Sequence, residues 1–500
     1  MPKDSSAETR TALKLRLENF RLFGDSGWFN LAPLTCLVGR NSSGKTSVLS
    51  AILLLKQSIE QEKMSGSVTP LILSGPYCDL GGYADVVHNH RPSSEISFSF
   101  LMSIPGLREP ISRSGASLVD FAVPRTPNPA AYPYYFPGDA ALPKKGEVEA
   151  RLTFSVSRPF GPSLSRVEID VPGLGNARYV RTIRGERREH WRTYTHGLAP
   201  QSILIRTAGR SFFPWIRIRE KGYRRSSSKE KRAARAFVAA SALLFRYLQR
   251  CLLDSSVIGP FRTPPERRYV FGGFGASRGG PSGEQAVNLL ITDTMLRTSG
   301  GRSLHRALAF WIKHLKLAKT LGVRDLAKKL NLFEVDVRGA GGALKANLAD
   351  VGFGVSQILP VLVEGLLMRR GGIFLVQQPE IHLHPDAQAG LADFFIYLAC
   401  NGVITVVETH SEYLLLRLRR RLAEGGAPLV SAVPSRLRPA SPLTKNDVAV
   451  LFTGSENGEV VVRQLELDES FQFENLPIGF MSQALDDRVA LLKAIGKRNA

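Results

Sequence analysis

An α/β fold, built as a mixed sheet with flanking helices, is predicted by three features of this 500-residue chain. The apolar run Leu34 to Val38 passes through a glycine turn into residues spaced as on a helix. Two more apolar runs, Gly372 to Val376 and Val403 to Val407, read as buried strands late in the chain. At 43 % hydrophobic and 22 % charged, the composition is that of a folded chain and not of a disordered one.

Taken in order, Leu13, Leu15 and Leu17 alternate with Lys14, Arg16 and Glu18, the pattern of a half-buried strand. After the strand at 34–38, Val48, Ile52, Leu55 and Ile59 place a helix over 45–60. Six prolines within 124–143 exclude regular helix there and predict a long surface loop. The Gly-rich stretch Phe271 to Gly283 predicts a second loop, and apolar spacing predicts helices over 304–321 and 323–332. Val448 to Phe452 and Val460 to Leu465 read as strands of a small α+β C-terminal segment. The expected organisation is an N-terminal lobe (1–95), a basic insertion with the Pro-rich loop (96–260), a Gly-rich loop and helical segment (261–345), a C-terminal lobe (346–427) and a small C-terminal domain (428–500).

The balance of 66 Lys+Arg against 44 Asp+Glu leaves +22, which favours polyanionic partners, nucleic acid before an acidic membrane. Between Arg178 and Arg250, 16 Arg and 3 Lys face 4 Glu and no Asp, so one segment holds most of the surplus. Cys36, Cys78, Cys251 and Cys400 have no CxxC spacing, which argues against a disulfide scaffold or zinc ribbon and predicts a reducing, cytoplasmic setting. Without an uninterrupted apolar run of ~18 residues no membrane helix is expected. The polar residues 1–12 predict no secretory signal.

The residues Gly39-Arg40-Asn41-Ser42-Ser43-Gly44-Lys45-Thr46 fulfil G-x-x-x-x-G-K-[ST], placed between a predicted strand and a predicted helix as the mechanism requires. The glycines let the backbone wrap a phosphate, and the helix-start amides, through Ser47, point towards it. Lys45 is expected to reach the β/γ-phosphates of a nucleoside triphosphate and the Thr46 hydroxyl to ligate Mg²⁺.

Three further motifs follow in the second half. Asp350-Val351-Gly352-Phe353-Gly354-Val355-Ser356-Gln357 enters an apolar helix; Gln377-Gln378-Pro379-Glu380-Ile381-His382-Leu383-His384-Pro385 follows one buried strand; Glu408-Thr409-His410-Ser411-Glu412 follows the other. Together with the P-loop these resemble the ABC-type ATPases of the SMC/RecF/OLD (overcoming lysogenisation defect) group, within the AAA class, and look most like the stand-alone ATPases of bacterial anti-phage modules such as the Septu-type ATPase subunit. The resemblance covers about residues 13–90 and 345–420, with a C-terminal segment like the small domain that often follows such ATPases. It implies an ABC-type head split by the basic insertion, with ATP and Mg²⁺ as cofactors. It implies that Gly354, Ser356 and Gln357 in the signature segment meet the partner subunit's γ-phosphate. Residues 373–378 match the Walker B strand, His382 to Pro385 the D-loop, and His410 the switch histidine. Two heads would sandwich two ATP molecules, so a homodimer, or a larger assembly, is implied.

Where that group places an acidic residue after the Walker B strand, this chain has Gln377, followed by Gln378. A neutral amide orients water but cannot take its proton at pH 7, and it is a weak Mg²⁺ ligand. Three readings stay open. The protein is a slow or inactive ATPase that switches on binding alone; or Glu380 or Glu408 supplies the carboxylate; or Gln377 is a Glu→Gln substitution that traps the ATP state. His382 and His384 could ligate a metal, but no third ligand of suitable spacing follows, and the D-loop reading is preferred.

In the basic segment Arg187, Arg188, Arg217, Arg219, Arg224, Arg225, Lys231 and Arg232 are interleaved with Trp191, Tyr194, Trp215 and Tyr223, the residue types that hold phosphates and stack on bases. A patch that docks an acidic protein, or a solvated face, is the plainer alternative. Two functions from different classes follow. One is an ATP-gated sensor and scaffold of a defence module that binds nucleic acid and controls a separate effector, a nuclease or toxin. The other is a stand-alone RecF-like DNA repair or processing ATPase; a nuclease within the insertion is a weaker third.

Overall fold

A computed structural model describes residues 13–65, 69–103, 146–157, 161–184, 188–198, 203–206, 212–218, 224–272, 280–295, 304–327, 330–339, 344–425, 442–456, 458–475, 477 and 491. In chain order the strands are β1 (Leu13–Phe20), β2 (Phe23–Asp25), β3 (Phe29–Leu31), β4 (Leu34–Gly39), β5 (Ile96–Ser103), β6 (Glu147–Ser157), β7 (Gly161–Val171), β8 (Gly175–Arg184), β9 (Arg188–His196), β10 (Ile203–Arg206), β11 (Trp215–Ile218), β12 (Ser256–Ile258), β13 (Tyr269–Val270), β14 (Ala318–Ala327), β15 (Leu332–Gly339), β16 (Lys345–Asn347), β17 (Ile373–Gln377), β18 (Ile404–Glu408), β19 (Val448–Glu456) and β20 (Glu459–Leu465). The helices are α1 (Lys45–Ser65), α2 (Tyr83–Val86), α3 (Ser228–Leu253), α4 (Ala286–Met295), α5 (Leu304–His314), α6 (Phe353–Leu367), α7 (Pro385–Cys400) and α8 (Glu412–Ala423).

The sheet that positions the site has the order β12-β17-β18-β4-β19-β20, parallel from β12 to β19 and closed by an antiparallel β20. Both faces are covered, which is why its strands read as continuous apolar runs. Alternate residues serve the two cores. Leu37, Leu375, Val406 and Leu451 face a core shared with α1, α3 and a second, antiparallel sheet. Cys36, Val38, Val376, Val407 and Val450 face a core made by α4 to α8. The second sheet runs β2-β1-β5-β6-β7-β8-β9, with β3 also on β1. A small sheet of β13, β15 and β14, with β16 on β15, packs beside α5.

The mixed α/β architecture is the one the sequence predicts, and the strand at 13–17, the strand at 34–38 and the helix from Lys45 all form. Residues 96–103 pair with β1, and β19 lies against β4, so the segments 96–260 and 428–500 add strands to the sheets of the lobes. The Pro-rich stretch 124–143 lies outside the described residues, as does 273–279 of the Gly-rich stretch. One expectation is corrected. The helix from 304 ends at His314, and 318–327, expected as helix, is β14, paired antiparallel with β15. A bulge between Ala318 and Thr320 puts Ala318 and Leu321 on one buried face at a spacing of three, which imitates a helix in the sequence.

Among the described residues, α3 is the one helix long and apolar enough to cross a membrane; its apolar side chains Phe237, Leu244 and Leu248 are packed into the first core. It opens with a capping box in which Ser227 accepts from the Glu230 N–H and the Glu230 carboxylate accepts from the Ser227 N–H. Across the sheet, α5, α7 and α8 are joined by Asp393, which is 0 % exposed and accepts from His314 Nε2 at 2.9 Å, Arg417 Nη1 at 2.9 Å and Arg421 Nε at 2.7 Å. Burial pushes this carboxyl up, but the hydrogen bonds from His314 and Arg421 and the charges of Arg421 and Arg417 together outweigh it and hold it at about 2.

Candidate nucleotide site

Because β17, β18 and β4 run parallel, their C-terminal ends emerge side by side, with Gln377 beside Glu408 and Glu408 beside Leu37. Ligands of open parallel sheets bind at this edge. The chain leaves β4 at Gly39, whose φ of +143° suits only glycine; a Cβ there would lie 2.5 Å from the Thr453 carbonyl oxygen. Gly44, at φ +108°, likewise has the Phe23 ring where a side chain would go. The Ser43 and Thr453 hydroxyls, 2.6 Å apart, fasten the loop to β19. Lys45 is only 4 % exposed, and its Nζ donates to the carbonyls of Gly39 at 3.0 Å and Arg40 at 2.7 Å. Burial lowers its pKa, opposed by the charge of Glu408. Arg40, Asn41, Ser42 and Thr46 are exposed, while Ser47 is buried under the first turn of α1.

Two carboxylates and two amides stand at or just beyond the ends of the two neighbouring strands, β17 and β18. Glu408, 5 % exposed, accepts from the Gln377 Nε2 at 3.3 Å and lies near enough to Lys45 and Thr46 to feel both. Its burial nevertheless raises its pKa. Gln378 takes the left-handed φ of +42° and donates its N–H to the Glu408 carbonyl at 2.8 Å. Glu380 turns the other way: its Oε1 accepts the His410 N–H at 2.6 Å, and its Oε2 is enclosed with no hydrogen-bond partner. Burial raises this carboxyl as well. The His410 ring is exposed at the mouth of the site, and partial burial followed by the Lys45 charge lowers its pKa.

Arg262, which sequence reading passes over, lies beneath this turn. It is 6 % exposed, and its Nη2 donates to the carbonyls of Gln377 at 3.0 Å and Gln378 at 3.3 Å, while Nε and Nη1 are enclosed without partners. Burial lowers its pKa to about 10, with the Glu380 charge opposing. It arrives from just beyond β12, so no local spacing links it to Gln377.

Residues 352–357, expected to form the signature segment, make the N-cap and start of α6. Gly354 packs against the His382 carbonyl, leaving 3.2 Å for a Cβ; Ser356 and Gln357 are buried, and the Ser356 hydroxyl donates to the Phe353 carbonyl at 3.1 Å. Phe353 is 65 % exposed, with its ring 5.7 Å from that of His382. His384 is the N-cap of α7, its Nδ1 accepting from the Asp386 N–H at 3.3 Å.

A profile of the AAA ATPase domain family matches residues 13–92 and 315–415. The two matched segments hold the glycine loop after β4 and the strands that end at Gln377 and Glu408. No curated protein sequence matches the chain. Among solved structures similar to it are an SMC head bound to the C-terminal winged-helix domain of ScpA (11 % identity, TM-score 0.41, covering 91 % of this chain and 98 % of that one). Others are the Smc head with an extended coiled coil bound to the C-terminal domain of ScpA from Pyrococcus furiosus (10 %, 0.40, 97 % and 99 %) and the SMC head domain from Thermotoga maritima (10 %, 0.36, 91 % and 99 %).

The residues here fit Mg²⁺: a hard cation takes oxygen ligands, and the exposed Thr46 at the start of α1 and the Glu408 carboxylate at the end of the strand beside β4 carry two. Among the described residues, no group of three or more His, Cys, Asp or Glu is arranged to hold a metal by itself. Of the basic residues proposed to hold nucleic acid, Arg224 and Arg225 are exposed just before α3, Arg232 is exposed on its first turns and Lys231 is half-buried. Arg187 and Arg219 lie outside the described residues, and of Arg188 and Arg217 only the backbone is described. Trp191 packs against the first core, whereas Tyr194 is exposed.

Proposed function

We propose that this protein is an ATP- and Mg²⁺-binding, dimerising ABC-type head that serves as the nucleotide-gated sensor of a bacterial anti-phage module, engages nucleic acid and controls a separate effector. One observation carries the nucleotide reading: the buried Lys45, folded under a loop bounded by Gly39 and Gly44 at the end of β4 and near Glu408 on the next strand. On this reading Lys45 exchanges its two carbonyls for the β/γ-phosphates of ATP, and the amides of 41–47 cradle them. The Thr46 hydroxyl holds Mg²⁺, which would offset phosphate charge when bound. With Gln377 and Gln378 at the Walker B end, turnover is slow and ATP acts mainly as a ligand that closes the dimer.

The exposed Phe353 ring beside His382, at the head of the signature helix, supports a dimer face there. The exposed cluster Arg224, Arg225 and Arg232 supports a polyanion contact, for which log affinity would fall with log salt by ~0.9 per phosphate on duplex DNA.

The test is the mass of the purified chain with and without Mg·ATP, read beside ATP turnover with and without duplex DNA. A monomer that becomes a dimer with ATP, fails to do so as F353D, and turns ATP over slowly is the expected result. No ATP-dependent change of mass overturns the sensor reading. Vigorous DNA-stimulated turnover by the chain alone would replace it with a self-sufficient DNA-processing ATPase.

A further inference from the structure

We propose that Glu408 supplies the Mg²⁺-shell carboxylate that the Walker B strand lacks, so that the divalent-cation site has moved one strand over, from β17 to β18. This rests on the nucleotide reading above and names a ligand within it.

The geometry separates the two carboxylates that could do this. Glu408 stands on the strand between β17 and the phosphate-loop strand β4, so its side chain leaves the sheet one strand closer to the loop than Gln377 does. It also lies near the Thr46 hydroxyl and Lys45, both of which act on its carboxylate. The Gln377 amide donates to Oε2 at 3.3 Å. A carboxylate has about four acceptor sites, so Glu408 keeps capacity for a cation beside this one bond. Glu380 is engaged elsewhere, holding the His410 N–H at 2.6 Å and set against Arg262.

The backbone around Glu408 is also fixed. Its carbonyl accepts the Gln378 N–H at 2.8 Å, and Arg262 grips the carbonyls of Gln377 and Gln378. Gln377 thereby becomes a support for the ligand next to it. Mg²⁺, a hard ion with oxygen ligands, is the class of cation this pair takes, with ATP phosphates and water completing the shell.

The experiment titrates a fluorescent ATP analogue into the full chain in EDTA and in Mg²⁺, and follows Mn²⁺ with ATP by electron paramagnetic resonance. In the native chain Mg²⁺ tightens ATP by ~10-fold or more, which is ~1.4 kcal/mol. In E408Q the ratio of ATP affinity in Mg²⁺ to that in EDTA falls towards one, and the bound Mn²⁺ signal is lost. The exchange variant Q377E/E408Q, which returns the carboxylate to the register-paired position, recovers both and guards against a folding defect in E408Q. An undiminished enhancement in E408Q, or its loss in E380Q instead, overturns the proposal while leaving ATP binding intact. Failure of the native chain to bind ATP in either condition overturns the nucleotide reading itself, and the proposal with it.

Discussion

Asp393 and the pair Glu380–Glu408 are all buried carboxylates on the same lobe, yet they are treated in opposite ways. Asp393 has both oxygens taken by His314, Arg417 and Arg421 and is held at about 2. Glu380 and Glu408 sit at strand ends beside Lys45 and Arg262, with fewer partners than oxygens, and burial pushes both upward. A fully answered charge ties helices together. A buried charge left partly unanswered, at the ligand-binding edge of a parallel sheet, marks a place where another group belongs.

The comparison breaks most visibly at Asp393. D393N strands two arginines and a histidine around a neutral side chain and should cost about 3–5 kcal/mol of stability, as removal of one partner of a buried pair does. E380Q should leave stability unchanged or raise it; urea melts of the two variants check this, and equal losses would erase the distinction.

Acid gives the next largest effect. The folded pKa of Asp393, about 2, lies below its ordinary value of 3.8, so its contribution is complete above 3.8 and fades as pH falls towards 2. That loss is about 2 kcal/mol. Melting curves between pH 5 and pH 2 should show it in the native chain and not in D393N. Glu380 has the opposite sign: with its folded pKa raised, its neutral form suits the fold, and this contribution disappears as pH rises through the raised value. The stability gained by E380Q should therefore be larger at pH 7 than at pH 4.

R262K sharpens the comparison with a smaller effect. A lysine keeps the charge opposite Glu380 but loses the flat group that spans two carbonyls. It should cost about 1 kcal/mol in melts. It should also weaken Mg²⁺-dependent ATP binding more than metal-free binding, because Gln377 is released. Equal weakening of both would show that Arg262 acts on the loop as a whole.

The parts of this site that lie close together in sequence were legible there. The P-loop is eight consecutive residues between a strand and a helix, and its backbone needs only local glycines. The strands ending at Gln377 and Glu408 were visible because burial on both faces makes them uniformly apolar. Arg262 was hidden: it lies over a hundred residues from the carbonyls it holds, and a lone arginine in a basic chain carries no signal. The choice between Glu380 and Glu408 needed the strand order, since it depends on β18 lying between β17 and β4. β14 was misread because one bulge changed its period from two to three. In β6 to β9 the alternation is interrupted by charged residues between buried ones, as Arg178 stands between Ala177 and Tyr179 in β8.

The central claim is that the glycine-bounded loop and its buried lysine hold ATP. Calorimetric titration of Mg·ATP into the native chain and into K45A tests it most directly. The account predicts a saturable exothermic isotherm for the native chain, weakened by ~10–100-fold in K45A, the effect of losing charge-assisted hydrogen bonds of ~1.5–3 kcal/mol. Identical isotherms for the two proteins, or no heat from either, would contradict it.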